Sequence, residues 1–463
     1  MNTSTDTIVA QATAVGTGAI AMIRMSGPRA FDIVRRLLPA EQPGEVIEPR
    51  KLYLCRLQTD IPLDQAMLAF FRAPGSYTGE DMVEISCHGG EMVAPRVIEA
   101  LGRLGARVAQ PGEFTRRAVE NGKLDLLQAE AIDQLVKAES PAAAENALRQ
   151  LDGELSGRIR GLRQQLIDLA ALLELELDFA EEDVEFAERK DMLAALSDLA
   201  ERIAALLQSW EKGRGLRHGL RVAIVGKPNV GKSSLLNALL GESRAIVSST
   251  PGTTRAFIDE LVQLGNFRFR LIDTAGIRHA GDEIEKAGVE RSRARIQDAD
   301  ILLLVVDGSS PSEAADAAIA QECEEALTQE GHKQILLIRN KTDLPQNKEE
   351  NGRASLSARA EIRLSALTGR GIDHLRAALE KIAREDLANR PGEVCITTVR
   401  QKLALERALE YIHQGLQSCA QKLSAEFISR DLRAAGDELG LLIGEISSEQ
   451  ILDEIFAKFC IGK

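Results

Sequence analysis

Val222-Ala-Ile-Val225 runs straight into Gly226-Lys-Pro-Asn-Val-Gly-Lys-Ser233, and Ser234-Leu-Leu-Asn-Ala-Leu-Leu240 opens a helix directly behind it. Buried strand, glycine loop and helix in that order constrain the fold: the strand belongs inside a parallel sheet, and the helix crosses back over it. The glycines let successive backbone N–H groups turn toward one anion, and the helix adds the positive end of its dipole. Lys232 offers a point charge to β- and γ-phosphates and Ser233 a hydroxyl to Mg2+. A G-x-x-x-x-G-K-[ST] string arises by chance in about 2% of chains this long, and the flanking strand and helix lower that further. Asn229, Val230, Gly231, Lys232, Ser233 and Ser234 are therefore candidates for binding a nucleotide's phosphates.

Three further motifs follow in a fixed order. Asp273-Thr-Ala-Gly276 ends the alternating run Phe267-Arg-Phe-Arg-Leu-Ile272, which puts the Asp273 carboxylate at the sheet's carboxyl edge beside the metal. Thr274 and Ala275 lead to Gly276, whose N–H can approach the γ-phosphate. Asn340-Lys341-Thr-Asp343 follows the apolar run Ile335-Leu-Leu-Ile338, and Ser365-Ala366-Leu367 follows Ile362-Arg-Leu364. Asp343 can accept two N–H bonds from a guanine edge. Adenine has an acceptor where guanine has a ring donor, and a lost buried hydrogen bond costs about 1–3 kcal/mol. Ser365 and Ala366 would close over the base. The set predicts a GTP-selective, Mg2+-dependent α/β P-loop domain. Many GTPases carry a water-orienting glutamine directly after the Asp-x-x-Gly motif; this chain has Ile277, which cannot hold a water. Arg278, Glu283 and Glu285 are the polar groups within reach, and the residues alone do not choose among them.

At 463 residues, with 44% hydrophobic content, the chain can build two or three cores. Its 57 basic against 70 acidic residues give a net charge of −13, so the chain as a whole is not an electrostatic binder of nucleic acid. Six cysteines are scattered with no C-x-x-C pair, which predicts reduced thiols in the cytoplasm and no zinc. The start, Met1-Asn-Thr-Ser-Thr-Asp6, has no basic and no apolar leader region, and no run of about 18 apolar residues predicts a membrane span.

Three zones are expected. Residues 1–118 mix short strands such as Thr7-Ile-Val-Ala10 and Met67-Leu-Ala-Phe-Phe71 with a helix over Ala94 to Leu104, an α+β domain. Residues 119–215 are nearly free of proline; Leu166, Leu169, Leu172, Leu173 and Leu177 mark one face of a long helix, and Glu181-Glu-Asp-Val-Glu185 a solvated turn. The nucleotide domain takes residues 216–384, and helical composition resumes over 385–463. The expected architecture is multidomain, an all-α domain interrupted by an inserted α/β P-loop GTPase domain of Ras-like type.

Other motifs have no place in that set: Asp6-Thr-Ile-Val-Ala-Gln-Ala-Thr13, Ser76-Tyr-Thr-Gly-Glu-Asp81, His88-Gly-Gly90, Pro111-Gly-Glu-Phe-Thr115, Lys123-Leu-Asp-Leu-Leu-Gln-Ala-Glu-Ala-Ile132, Gly252-Thr-Thr-Arg255 and the final Cys460-Ile-Gly-Lys463. With them the chain resembles, over essentially its full length, the bacterial MnmE (TrmE) family of tRNA modification GTPases, within the TrmE/Era-like group. That resemblance implies a homodimer that forms a heterotetramer with a flavin-dependent partner, MnmG or GidA. The pair would add an aminomethyl or carboxymethylaminomethyl group to the 5-position of the wobble uridine of certain tRNAs. A 5-formyl- or methylene-tetrahydrofolate would supply the carbon, and tRNA would be held mainly by the partner.

By the same resemblance the first domain forms the dimer and binds folate, through Arg24, Glu84, Lys123 and Lys463. A K+ ion would stand near Asn229 and the loop Ser248-Ser249-Thr250-Pro251-Gly252-Thr253, with Ser248, Thr250 and Thr253 as further ligands. Thr254 would reach Mg2+ beside Ser233, and Glu285 becomes the catalytic, water-orienting acid. The family pattern continues Thr-Thr-Arg-Asp where this chain has Ala256, and Ser248 stands where threonine is common. Cys460 is implied near the folate, with a buried packing role as the alternative reading. A ribosome-assembly GTPase would share the nucleotide motifs but typically adds a basic RNA-binding module such as a KH fold with its G-x-x-G loop. The helical tail here has no G-x-x-G. A membrane-remodelling GTPase would need a basic amphipathic surface helix, and none is apparent.

Overall fold

The structure, a computed structural model, describes residues 6–40, 47–178, 189–241, 259–273, 296–311, 314–329, 334–346, 358–387, 393–446 and 449–462. The chain divides into two compact units, one of residues 1–136, 148–201 and 403–463 and one of residues 137–147 and 202–402.

The first unit begins with β1 (Ile8–Gln11), β2 (Ile20–Ser26), α1 (Ala30–Arg35), β3 (Leu52–Gln58), β4 (Pro62–Phe71), β5 (Met82–His88), α2 (Val93–Arg103) and β6 (Arg107–Val108). They form a sheet of order β3-β4-β5-β2-β1-β6, antiparallel except where β1 and β6 run parallel. Alternation decides its faces. Ile23, Met25, Val83, Ile85, Leu68 and Phe70 enter one core with Ile33, Val34, Val97 and Leu101 of α1 and α2. The intervening residues turn Arg24 and Glu84 to the other face, directly opposite one another across β2 and β5. The expected helix over Ala94–Leu104 is α2, one residue earlier at each end.

Helices follow: α3 (Glu113–Glu120), α4 (Leu126–Val136), α5 (Pro141–Leu151), α6 (Glu154–Asp178) and α7 (Arg189–His218). On α6 the buried stripe is Leu155, Ile159, Leu162, Leu166, Ala170 and Leu173, steps of three and four. Leu169 and Leu172 flank it half-buried, but Leu177 is 40% exposed. The leucine face thus ends a turn earlier than the spacing implies, at the last turn of the helix. The acidic run 181–185 lies outside the described residues.

The second unit holds β7 (Leu220–Val225), α8 (Lys232–Leu240), β8 (Asp259–Leu264), β9 (Phe267–Asp273), β10 (Ile301–Asp307), α9 (Ala314–Gln329), β11 (Gln334–Asn340), β12 (Ala360–Arg363) and α10 (Ile372–Leu387). Its sheet has the order β12-β11-β10-β7-β9-β8, parallel throughout except for the edge hairpin β8–β9. The central strands are apolar on both sides because both sides are covered. Val222, Ile224, Leu303, Val305, Leu336 and Ile338 pack with Leu235, Leu239, Leu375 and Leu379 of α8 and α10. Ala223, Val225, Leu302, Leu304 and Ile335 pack with Ala320, Cys323 and Ala326 of α9.

The chain then returns to the first unit through α11 (Val399–Ala420), α12 (Ala425–Ile443) and α13 (Glu449–Phe456). Ile428, Leu432, Ala435, Leu439 and Leu442 give α12 its own buried stripe. There Arg163 of α6 donates to the Gly436 carbonyl at 3.1 Å and pairs with Glu445 at 2.5 Å. Ile455, Phe456 and Phe459 pack on Leu126 and Ala129 of α4. Among the described residues no helix is long and apolar enough to cross a membrane.

Candidate nucleotide site and N-terminal ligand face

Four parallel strands carry the nucleotide motifs to one edge. β7 delivers Gly226, β9 ends on Asp273, and β10 and β11 end on Asp307 and Asn340, which are register partners. The glycines are required by space as well as by conformation. Gly226 has φ +149°, and a Cβ there would lie 2.3 Å from the Val305 carbonyl oxygen. Gly231, at φ +99°, would bring one within 2.2 Å of Asn340 Nδ2. The loop closes on itself as Lys232 Nζ donates to the carbonyls of Gly226 and Lys227, both at 2.6 Å.

Asn340 is 2% exposed and ties the loops together. Its Nδ2 donates to the Val230 carbonyl at 2.8 Å, and its Oδ1 accepts the Ala366 N–H at 2.9 Å. Ser365, fully buried, donates its hydroxyl to Asp343 Oδ1 at 2.5 Å. Ser365 therefore orients the Asp343 carboxylate, and the exposed member of its motif is Leu367. Lys341 and Asn229 both sit in left-handed backbone, each at φ 64°. Lys341 Nζ pairs with Asp307 Oδ2 at 2.6 Å. Burial works against ionisation of Asp307, but bonds from Lys341 and Ser309 outweigh it and hold its carboxyl below the usual range.

The loop fits a phosphate chain: α8 starts at Gly231 without a side-chain cap, so its first N–H groups remain for an anion. Ser233, in the first turn of α8, is a hard oxygen donor at that edge, suited to Mg2+ completed by phosphate oxygens; β9 ends on Asp273, whose side chain lies outside the described residues. No cluster of three His, Cys, Asp or Glu occurs among the described residues. Asn229 is exposed and its amide makes no hydrogen bond among the described residues, a free oxygen suited to a monovalent cation.

In the first unit, Arg24 donates through Nε and a terminal nitrogen to the same oxygen of Glu84, at 3.1 and 2.8 Å. Its guanidinium lies 5.1 Å from the centre of the Tyr77 ring and 5.9 Å from that of Phe114. Tyr77 is held by Thr115, oxygen to oxygen 2.9 Å, and burial raises its pKa. The turn carrying Tyr77 is anchored from several sides. Lys123 Nζ donates to the Pro74 carbonyl at 3.1 Å, Asn121 to the Thr78 carbonyl at 2.7 Å, and Ser26 to Glu80 at 2.7 Å. Arg117, 3% exposed, joins Glu80 to Asp6 and Glu113. The chain end closes the same region. The Gly112 N–H reaches the Cys460 carbonyl at 3.4 Å, and a Cβ on Gly462 would lie 2.2 Å from the Gln11 carbonyl oxygen.

A sequence profile described as the GTP-binding protein TrmE N-terminus matches residues 7–123, and one for the MnmE helical domain matches residues 126–460. The tRNA modification GTPase MnmE of Syntrophus aciditrophicus is 41% identical over 462 residues, 99% of either chain. The chain belongs to the MnmE family of tRNA modification GTPases. The MnmE of Moorella thermoacetica is 42% identical over 469 residues, 99% of both, and that of Aquifex aeolicus 41% over 463, 98% of this chain and 99% of its own.

In this MnmE-family chain the described residues of the nucleotide motifs stand together at one sheet edge, as their order implied. Ser248 to Thr254, Thr274 to Gly276, Ile277, Arg278, Glu283, Glu285 and Lys463 lie outside the described residues. Arg24 and Glu84 are in contact, while Lys123 bonds the Pro74 carbonyl in the turn that precedes Tyr77. The packing alternative for Cys460 is corrected: it is exposed, and Phe459 before it takes the buried position. Sequence reasoning passed over Tyr77 as an aromatic floor and Asp307 as a partner of Lys341. Asp307 had a signal, since it ends the apolar run Ile301–Val306 much as Asp273 ends its own.

Proposed function

We propose that this chain binds and hydrolyses GTP and, with a flavin-dependent partner, takes part in modifying the 5-position of the wobble uridine of certain tRNAs. The observation that carries the nucleotide half is the bond pair of Asn340, which fastens the phosphate loop to the base loop. With Asp343 oriented by Ser365, the site selects guanine by donor matching. Lys232 and the first N–H groups of α8 hold the β- and γ-phosphates, while Ser233, Thr254 and Asp273 are the chain's oxygens for Mg2+. Mg2+ supplies charge neutralisation at the phosphates and a fixed geometry for them.

Ile277 stands where a water-orienting glutamine is common, so the attacking water is oriented from elsewhere, by Glu285. A K+ ion held by Asn229, Ser248, Thr250 and Thr253 contributes positive charge beside the phosphates. Hydrolysis is therefore expected to run faster in K+ than in Na+ by at least about tenfold, and equal rates in the two salts would remove the cation from the mechanism. Glu285→Ala is expected to abolish turnover while GTP affinity stays; a parallel loss of affinity would make Glu285 structural.

The modification half rests on the family and on the N-terminal face. The Arg24 guanidinium, the Glu84 carboxylate that it orients and an aromatic floor suit a flat heterocycle with a polar edge and a carboxylate tail, as in a folate. Lys123 and Lys463 complete the proposed folate set; Cys460 is exposed, and the family implies a place for it near the folate and a modification role. The chain acts as a homodimer and, with the MnmG/GidA-like partner, as a heterotetramer that holds tRNA mainly through that partner, in the cytoplasm. Isothermal titration with 5-formyltetrahydrofolate tests this face. Binding by the wild type that is lost in Arg24→Ala and Glu84→Ala is expected, and no binding by the wild type would sink it.

A further inference from the structure

Asp307, the last residue of β10, and Asp316, in the first turn of α9, each grip a lysine of a different nucleotide loop. Asp307 uses both oxygens: Oδ2 takes Lys341 Nζ at 2.6 Å, while Oδ1 accepts the Ser309 N–H at 2.9 Å and its hydroxyl at 2.6 Å. With both oxygens engaged, the carboxylate has one orientation. Lys341 needs such an anchor because its backbone is left-handed, a conformation costly for a residue with a Cβ. Around it the Gly308 N–H reaches the Asn340 carbonyl at 2.9 Å and Gln346 donates to the Lys341 carbonyl at 3.1 Å. Asp316, in the first turn of α9, pairs with Lys227 at 2.7 Å, and both side chains are more than four-fifths buried. Lys227 is the loop residue whose carbonyl holds the phosphate-binding Lys232.

We infer that these two carboxylates act as a clasp: Asp307 positions the base loop through Lys341, Asp316 positions the phosphate loop through Lys227, and together they set how long a guanine nucleotide stays bound. The inference rests on the GTP reading of the site. Each acid acts through a loop lysine, so both are positioning residues. Ion pairs in this half-buried setting are stronger than surface pairs because solvent screens them less. Loss of one frees a single loop, and the nucleotide then leaves through that side.

Release of a fluorescent N-methylanthraniloyl-GDP from the full-length protein, chased with excess GDP, measures the residence time. Asp307→Asn is expected to speed release about tenfold and Asp316→Asn by a smaller factor. Asp307→Asn added to Lys341→Met should give no further increase, because one contact is removed twice. Asp307→Asn releasing at the wild-type rate, or effects of Asp307→Asn and Lys341→Met that multiply, would overturn the clasp. If Asp307→Asn does not fold, Lys341→Met alone carries the test, with the same expected rate. A merely structural role would lower the melting midpoint of the nucleotide-free protein without coupling the two residues in the release rate. Failure of the wild type to retain the GDP derivative would instead sink the GTP reading on which the clasp rests.

Discussion

Asn340 shows how far a motif carries and where it stops. Its place after the apolar strand β11 follows from sequence, and so does its nucleotide role. That its amide joins Val230 to Ala366 does not, because those partners lie 110 and 26 positions away. Asn340→Ala would leave the buried Val230 carbonyl unpaired, at about 1–3 kcal/mol, and the half-buried Ala366 N–H without its partner. The expected result in a GDP titration is an affinity at least about tenfold weaker; an unchanged affinity would show that the loops hold without the bridge. The lysine partners of Asp307 and Asp316 were invisible for a related reason: a lone acid at a strand end or in a helix's first turn has many uses, and only the fold supplies the lysine.

At the level of elements, local pattern was legible and pairing was not. Leucine spacing marks α6, yet its partner α12 begins at Ala425, and nothing in the sequence joins the two stripes. The burial difference along α6 gives a prediction. Leu166→Ala should cost about 2–5 kcal/mol in urea unfolding, whereas Leu177→Ala should stay within about 0.5 kcal/mol. Equal costs would contradict the observed end of the stripe. The β2–β5 register likewise sets Arg24 against Glu84, 60 positions apart. Glu113 of α3 makes a pH prediction. Burial opposes its ionisation, but bonds from Arg107, the Gln110 N–H and Arg117 prevail and hold its pKa below the ordinary 4.5. A depressed carboxylate stabilises the fold above its unfolded pKa and loses that contribution as pH falls through the folded one. Unfolding free energy should therefore be level above about pH 5 and drop below 4.5, with a shallower drop in Glu113→Gln. An identical acid limb in the variant would remove Glu113 from the network.

For the whole molecule, the motif order anticipated a P-loop domain, while the N-terminal α+β residues share one compact unit with helical residues 148–201 and 403–463. The contact between the Pro111-Gly112 turn and the Cys460-Ile-Gly462 end was not anticipated, because it joins chain segments some 350 positions apart through backbone fit. The division into two units predicts that a guanine nucleotide protects one of them. By mass action, GDP at 100 times its Kd adds about 2.7 kcal/mol to the unit that binds it. Hydrogen exchange should slow in β7, β10 and β11 and stay unchanged in β2 and β5; equal slowing in both sheets would contradict separate binding. The central claim, GTP hydrolysis in the service of tRNA modification, is tested most directly by mass spectrometry of wobble-uridine nucleosides from cells lacking this chain. The 5-substituted nucleosides should disappear, returning with the wild-type gene and not with Asn340→Ala, and an unchanged nucleoside profile in the deletion would contradict the account.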